Sequence, residues 1–244
     1  MALGRVARVT AGAAQLHPFP PIDPSKNQII MCIGRKGAGK SVNARETFLH
    51  WPDTDRLVID PTGDADPGDD ALTLHQVPDS LPSRKDGKPV TVRIIVNPGS
   101  PTYAEDMDKG IGLALFPKDR RVLLWVDEAG EAFPSGRTGP NGNTLLKQSR
   151  HWNASVILAC PRPITVDPLC LSQADRVILY DLPNPADRKR VAGAIGWPPD
   201  RLNAALDGLR NEPPHSFLMY VAHEHALYLC PPLPMTSADK KAGS

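Results

Sequence analysis

The chain has almost no net charge, and its cysteines show no paired spacing. Its 244 residues contain 28 lysines and arginines and 27 acidic residues, which leaves a formal net charge of +1. No overall basic excess indicates a nucleic-acid partner, so any such contact has to come from local basic patches. The four cysteines form no C-x-x-C pair. We interpret them as small buried apolar residues of a protein that stays in a reducing compartment.

Long apolar runs are also absent. No run in the sequence approaches the roughly 20 residues that a membrane-spanning helix needs. The N-terminus lacks the apolar block of a signal peptide. We therefore expect a soluble, intracellular protein with no transmembrane segment.

Proline is the residue in excess. It accounts for 27 of 244 residues, about 11% and roughly twice the usual share. The prolines cluster in 18–24, 78–89, 161–168 and 231–234. This pattern predicts a compact chain whose connections are extended and stiff.

The most informative stretch is an apolar run that ends in a glycine-rich loop. Residues 34–41 read GRKGAGKS and match G-x-x-x-x-G-K-[ST], the Walker A pattern. The glycines let backbone N–H groups surround phosphate oxygens, and the lysine reaches the outer phosphates. The N-terminus of the helix that follows favours the same anion.

The pattern predicts a site for ATP. The residues predicted to bind it are Gly34, Arg35, Lys36, Gly37, Ala38, Gly39, Lys40, Ser41 and Val42. The alternative is a plain strand-to-helix turn.

Buried-strand runs alternate with helix-like segments along the chain, which favours an α/β fold with a mostly parallel central sheet flanked by helices. The strand runs are 28–33, 56–60, 90–96, 121–128, 154–160 and 176–180, and runs at 217–221 and 226–230 predict a C-terminal β-hairpin. Helical spacing marks 41–50, 101–115, 144–151 and 185–195. We divide the chain into an N-terminal arm (1–27), a nucleotide-binding domain (28–230) and an extended or disordered tail (231–244).

Two acids end the strand run at 121–128. Asp127 would hold Mg²⁺ together with the Ser41 hydroxyl, which completes a Walker B arrangement. Glu128 would orient or deprotonate the attacking water, a role that a small-molecule kinase does not need. The interval between Ser41 and Asp127 leaves room for a strand between the loop strand and the acid strand, as in RecA-like (ASCE) P-loop ATPases. The alternative is a pair of solvated acids after a core strand.

Four stretches resemble the FtsK/HerA superfamily of DNA-translocating ATPases, and especially its viral genome-packaging branch. They are 34–41, 57–64 (LVIDPTGD), 124–129 (LWVDEA) and 150–163 (RHWNASVILACPRP). The first and third are general to ATPases, whereas the second and fourth discriminate. Together with weaker matches, the resemblance covers about residues 28–195.

The resemblance implies a ring, in the family a hexamer, in which an arginine of one subunit reaches the γ-phosphate bound by its neighbour. Arg150 matches the family arginine that precedes the strand of the fourth stretch, and Arg137 in the loop 135–143 is the second candidate. The alternative for each is an ordinary surface arginine. The chain departs from the family at Pro161, where a glutamine usually senses the γ-phosphate. Proline has no N–H and no polar side chain, so this role does not carry over.

Other segments carry weaker indications. The His223-Glu224-His225 sequence could bind a metal, but no third ligand is evident and an exposed hairpin turn is favoured. The basic clusters at 188–190 and 118–121 could meet DNA phosphates in a ring channel or simply be solvated. The loop 135–143 is either a channel loop or a mobile surface loop.

Together with the ATP site, the resemblance implies a ring-shaped motor that translocates double-stranded DNA with ATP and Mg²⁺, and its viral branch implies packaging of a viral genome into a preformed capsid. Such a motor would work in the host cytoplasm, with virion association as a further location, and a capsid vertex or portal protein is a candidate partner. The alternatives are a translocase of plasmid or chromosome transfer, a P-loop phosphotransferase, and an assembly protein that uses nucleotide as a switch.

Overall fold

A computed structural model describes residues 5–9, 14–18, 23, 25–117 and 119–233. The predicted tail beyond residue 233, and Lys118 of one basic cluster, lie outside the described residues. Among the described residues, no helix combines the length and the apolar character that crossing a bilayer requires.

The fold is one sheet of 11 strands with helices on both faces. The strands are β1 (Arg5–Val9), β2 (Ala14–Pro18), β3 (Ile29–Ile33), β4 (Asp55–Asp60), β5 (Leu72–Leu74), β6 (Thr91–Ile95), β7 (Val122–Val126), β8 (Ala154–Cys160), β9 (Arg176–Leu179), β10 (Phe217–Val221) and β11 (Ala226–Cys230). The helices are α1 (Lys40–Leu49), α2 (Tyr103–Gly112), α3 (Ala129–Ala132), α4 (Pro140–Gln148), α5 (Pro168–Ser172), α6 (Pro185–Ile195) and α7 (Pro199–Gly208). Short 3₁₀ turns cover Ser149–Trp152, Leu209–Asn211 and Ala222–Glu224.

The strand order is β2-β1-β11-β10-β9-β3-β8-β7-β4-β6-β5. The strands from β9 to β5 in this order pair in parallel, and those from β9 back to β2 pair antiparallel. The mostly parallel sheet and the C-terminal hairpin are therefore confirmed. One strand does separate the loop strand β3 from the acid strand β7, but it is β8. The two main strands of the interval before β7, β4 and β6, lie on the far side of β7, so the reasoning from that interval was wrong.

Alternate residues of the central strands pack into two different layers. In β3, Ile29, Met31 and Ile33 face the layer that contains α2 and α4–α7, whereas Ile30 and Cys32 face the layer that contains α1. Because both faces are covered, every residue of β3 is buried. This is why the strand appears in the sequence as a continuous apolar run and not as an alternating one.

The N-terminal segment does not stand apart from the domain. β1 pairs with β11 and β2 pairs with β1, so both extend the sheet. The boundary drawn at residue 27 therefore separates strands that are hydrogen-bonded into one sheet. Sequence patterns could not show this pairing, because the partner strand lies at the opposite end of the chain.

The start of α4 differs from the sequence prediction. The helix begins at Pro140 and not at Thr144, so the second half of the predicted loop 135–143 is helical. Asp108 of α2 accepts hydrogen bonds from the backbone N–H groups of Asn141 (3.2 Å) and Gly142 (3.0 Å). It thereby satisfies donors that a helix N-terminus leaves free. The cap comes from a distant helix, which is why local sequence did not reveal it. Helices α3, α5 and α7 were not predicted either.

We expect Asp108→Ala to lower the free energy of unfolding by about 1–2 kcal/mol, because two partly buried helix N–H groups lose their acceptor. The measurement is urea unfolding followed by circular dichroism. Glu105→Ala, which removes an exposed acid from the same helix, is the matched control and should cost clearly less. Equal effects of the two substitutions would contradict the capping role.

Candidate nucleotide-binding site

The glycine-rich loop connects β3 to α1 at the carboxyl edge of the sheet. Gly37 (φ +76°) and Gly39 (φ +111°) have left-handed backbone conformations that a side chain would strain. The N–H of Gly34 donates to the carbonyl oxygen of Cys160 at 3.3 Å, so the loop begins beside the end of β8. Lys40, the first residue of α1, is buried, and its Nζ donates to the carbonyl oxygen of Arg35 at 3.2 Å. The loop thus curls over its own lysine.

The two predicted acids follow β7 at the same edge. Asp127 is buried, and its N–H donates to the carbonyl oxygen of Ile59 in β4 at 3.1 Å. Burial raises the pKa of Asp127 to about 6; the carboxylates of Asp60 and Glu128 add to this effect, while Lys40 opposes it. Glu128 has a left-handed backbone (φ +60°) at the start of α3. Burial also raises the pKa of Glu128, and Lys40 again opposes the shift. The structure therefore brings Lys40, Asp127 and Glu128 together.

The LVIDPTGD segment forms a turn around one buried carboxylate. Asp60, at the end of β4, is fully buried and accepts hydrogen bonds from Arg93 of β6 (Nη2 2.6 Å, Nε 2.9 Å). It also accepts from the N–H groups of Gly63 (2.8 Å) and Ala65 (3.0 Å). These bonds hold the turn at the edge of the site, where the charge of Asp64 helps to raise the pKa of Asp127.

Arg93 is a residue that sequence reasoning missed. It lies in the middle of β6, a strand that otherwise consists of threonine, valine and isoleucine. A charged residue inside such a run is a usable signal, because a buried strand position carries a charge only when a partner is present. Its partner, Asp60, belongs to the neighbouring parallel strand β4.

We expect Arg93→Ala to lower the free energy of unfolding by about 3–5 kcal/mol, because it leaves the buried Asp60 carboxylate without its counter-charge. Thermal and urea unfolding would measure this loss. Lys109→Ala removes an exposed ion pair with Asp79 and should leave the unfolding midpoint nearly unchanged. A small effect of Arg93→Ala would show that the turn does not depend on this pair.

Arg150 and Arg137, the two candidates for the arginine that reaches the γ-phosphate of a neighbouring subunit (the arginine finger), lie at opposite edges of the sheet. Arg150 is in the 3₁₀ turn before β8, at the amino edge of the sheet, so the length of β8, roughly 20 Å, separates it from the loop. Its side chain is 79% exposed, and its Nη2 lies 3.4 Å from Oδ1 of Asp175. Arg137 lies at the carboxyl edge, in an exposed turn after α3 where its N–H donates to Pro134. Within one chain, Arg150 therefore does not meet Lys40 and the acids.

The end of β8 lacks a polar side chain where the resemblance led us to expect one. Pro161 follows Cys160, the residue bonded to Gly34. The next residue, Arg162, lies 3.4 Å from Oδ2 of Asp187 in α6. Asp187 is buried, and its Oδ1 has no hydrogen-bond partner among the residues that the structure describes. The strand end is thus connected to α6 by an ion pair.

Several residues that the sequence suggested as metal ligands or DNA contacts instead form hydrogen bonds or ion pairs within the chain. His225 shares a 2.9 Å hydrogen bond with the Tyr220 hydroxyl, and Glu224 accepts one from Tyr228. Among the described residues, no group of three or more histidines, cysteines, aspartates and glutamates could hold a metal. In the basic clusters, Arg188 pairs with Asp207, and Arg120 pairs with the buried Asp55.

Comparison with solved structures identifies the fold. The chain has the fold of a viral genome-packaging NTPase. The match is to B204 from Sulfolobus turreted icosahedral virus 2, in complex with AMPPCP, with a TM-score of 0.64 and 19% identity over 87% of this chain and 100% of that chain. VirB4 of Thermoanaerobacter pseudethanolicus matches with a TM-score of 0.57 and 11% identity over 97% of each chain.

The conjugation coupling protein TcpA of pCW3 also matches, with a TM-score of 0.51 and 13% identity over 92% of this chain and 64% of that one. No model of a known protein family matches the chain, and no curated protein matches its sequence. Identities this low show the fold alone. They confirm the predicted P-loop ATPase fold, and at the level of the fold they confirm the resemblance drawn from the four stretches.

Proposed function

We propose that the protein is an ATPase that works as a ring and moves double-stranded DNA, with packaging of a viral genome as its task. The observation that carries the proposal is the meeting of Lys40, Asp127 and Glu128 at one edge of the sheet, in the fold that B204 shares. The loop and its lysine would bind the triphosphate. The two acids distinguish a hydrolysing site from a site that only holds nucleotide.

The residues present fit a magnesium ion. Asp127 lies among other carboxylates that raise its pKa, so a cation beside it would relieve this repulsion. The exposed Ser41 hydroxyl lies directly after Lys40 at the start of α1. Mg²⁺ in P-loop sites needs only one or two protein oxygens in addition to phosphates. Asp127 and Ser41 would hold the ion, which supplies neutralisation of the phosphate charge when it is bound.

Glu128 is our candidate for the group that positions and deprotonates water. Its raised pKa makes the carboxylate a stronger base than an exposed glutamate. Its left-handed backbone at the start of α3 turns the chain away from β7 directly after Asp127. Adjacent residues can then have different tasks, since one carboxylate would hold the metal and the next would act on water.

Glu128→Gln should lower the turnover number for ATP by about 10²–10⁴-fold, because a positioned general base contributes that much. Nucleotide binding should persist, since the loop is unchanged. Steady-state phosphate release and equilibrium binding of a labelled nucleotide measure the two effects. Glu131→Gln, an exposed acid in α3, is the control and should keep its activity. Unchanged turnover in Glu128→Gln would remove the assigned base.

The position of Arg150 supports a site shared between subunits. An exposed arginine at the amino edge cannot contact the loop of its own chain, but it can contact the loop of a neighbour in a ring. An arginine supplied in this way stabilises charge in the transition state. Arg137 is the second candidate, because it is exposed on the carboxyl edge.

Mixing two inactive variants tests the shared site. Arg150→Ala and Glu128→Gln should each be inactive alone, whereas rings assembled from an equal mixture should recover about a quarter of wild-type activity, because that share of interfaces combines both intact residues. Arg201→Ala, an exposed arginine of α7, is the control. Full activity of Arg150→Ala, or no recovery on mixing, would contradict Arg150 as the finger.

We assign the movement of DNA as the task of the motor from its similarity in fold to solved translocation ATPases and from its exposed basic residues. Phosphate contacts of a ring channel would come from exposed basic residues, since the net charge is only +1. The matches to TcpA and VirB4 favour a second candidate, a motor of conjugation or secretion. A packaging motor would act in the host cytoplasm and dock on a capsid vertex or portal protein. Stimulation of the ATPase by double-stranded DNA supports both motors, whereas DNA-independent hydrolysis by a monomer would contradict them.

A further inference from the structure

The arginine assigned to the neighbour's site lies on a charged cavity at the amino edge of the sheet. Arg150 lines this cavity of about 650 Å³, a usual volume for a ligand pocket. Four lysine and arginine side chains and two aspartates lie on the lining. This excess of positive charge favours an anionic group such as the phosphates of a nucleotide. One of the two aspartates, Asp175, is the ion-pair partner of Arg150.

Asp175 is fixed in place by the start of β3 and by the turn between β10 and β11. It directly precedes β9, and its Oδ2 accepts a hydrogen bond from the Ile29 N–H at 2.8 Å. Its own N–H donates to the Ile29 carbonyl oxygen at 2.8 Å, and its carbonyl oxygen accepts from the Ala222 N–H at 2.9 Å. Both the backbone and the side chain are thus held, and the other carboxylate oxygen, Oδ1, lies beside Arg150.

A second residue holds the backbone of the turn that carries Arg150. Asn27 lies two residues before β3, and its Nδ2 donates to the carbonyl oxygens of Ser149 (3.3 Å) and Arg150 (3.2 Å). Both carbonyls belong to the 3₁₀ turn Ser149–Trp152. Asn27 therefore fixes the main chain of this turn, while Asp175 restrains the end of the arginine side chain.

The ion pair leaves most of the guanidinium of Arg150 available. Only Nη2 lies within 3.4 Å of Asp175, and the arginine side chain is 79% exposed. A guanidinium has five N–H donors, so donors remain for a phosphate. Ordering a free arginine side chain loses rotamer entropy, and a contact that restricts it beforehand reduces this loss on binding. An exposed pair of this kind contributes little to stability, so its effect should be seen in the reaction and not in the folding of the chain.

We propose that Asp175 and Asn27 are positioning residues that hold Arg150 for the γ-phosphate bound by a neighbouring subunit. The inference rests on the proposed function, since it needs a ring in which Arg150 completes the site of another chain. Asp175 orients the guanidinium, and Asn27 keeps the turn at the start of β3 and β8. Neither residue contacts the nucleotide, and both act through Arg150.

Asp175→Asn tests the orienting role, because it changes a single contact. The amide oxygen still accepts from the Ile29 N–H, whereas the amide nitrogen replaces Oδ1 and places a donor against Arg150. We expect the turnover number for ATP to fall at least about tenfold, since a misplacement of about 1 Å in a catalytic site can cost about 10²-fold. The affinity for ADP, which lacks the γ-phosphate, and the unfolding temperature should match the wild type. Phosphate release, equilibrium binding of labelled ADP and thermal unfolding measure these quantities.

Mixed rings show on which subunit Asp175 acts. Rings assembled from equal amounts of Asp175→Asn and Glu128→Gln chains should recover about a quarter of wild-type activity, because that share of interfaces joins an intact Asp175 to an intact Glu128. A residue that supported only the site of its own chain would give no such recovery, since every site with an intact Glu128 would then be damaged. Absence of recovery would therefore overturn the inference.

Two further variants complete the test. Asn27→Ala should lower turnover and leave ADP affinity unchanged, as Asp175→Asn does. Asp79→Asn removes an exposed ion pair with Lys109 (2.8 Å) and, as the matched control, should keep its turnover. Wild-type turnover in Asp175→Asn or Asn27→Ala, beside an inactive Arg150→Ala, would overturn the role of that residue and leave the proposed function intact. Absence of ATP hydrolysis by the wild type would overturn the proposed function itself.

Discussion

The parallel pairing of β3, β8, β7 and β4 is the constraint on which the rest of the structure depends. Parallel strands end at the same edge, so the chain that leaves each of them enters the same region. The glycine-rich loop follows β3, the two acids follow β7, and the buried turn follows β4. These segments are far apart in sequence, and only the common direction of the strands brings them together. Arg150 precedes a strand and therefore lies at the opposite edge.

Several carboxylates lie at the carboxyl edge of the sheet, where they repel one another, and the structure stabilises some of them with hydrogen bonds and counter-charges but not others. Asp60 is fully buried, and Arg93 with three backbone N–H groups stabilises its charge. Within the described part of the chain Asp127 has no such set of donors, and burial together with the neighbouring carboxylates raises its pKa. The contrast assigns different tasks to two aspartates that follow neighbouring strands. Asp60 is satisfied by the protein and holds a turn, whereas Asp127 is the carboxylate that we propose binds a cation.

The sequence predicts those parts of the site that depend on local pattern. The loop, the acids and the central strands are short segments whose residues show their structure directly, and their bounds agree with the structure to within two residues. Features that depend on distant partners could not be predicted. Asp108 caps a helix 33 residues further along the chain, and β1 pairs with a strand at the other end of the chain. No local pattern specifies such contacts, because each partner is ordinary in its own surroundings.

Pro161 shows how far a family pattern can be carried onto a single chain. The hydrogen bond between the Gly34 N–H and the Cys160 carbonyl oxygen holds the end of β8 beside the glycine-rich loop. Proline at that position cannot donate or accept through a side chain. The next polar contact is between Arg162, which is half exposed, and the buried Asp187 at the start of α6. The connection from this strand end is therefore an ion pair to a helix, and not an amide directed at the phosphates.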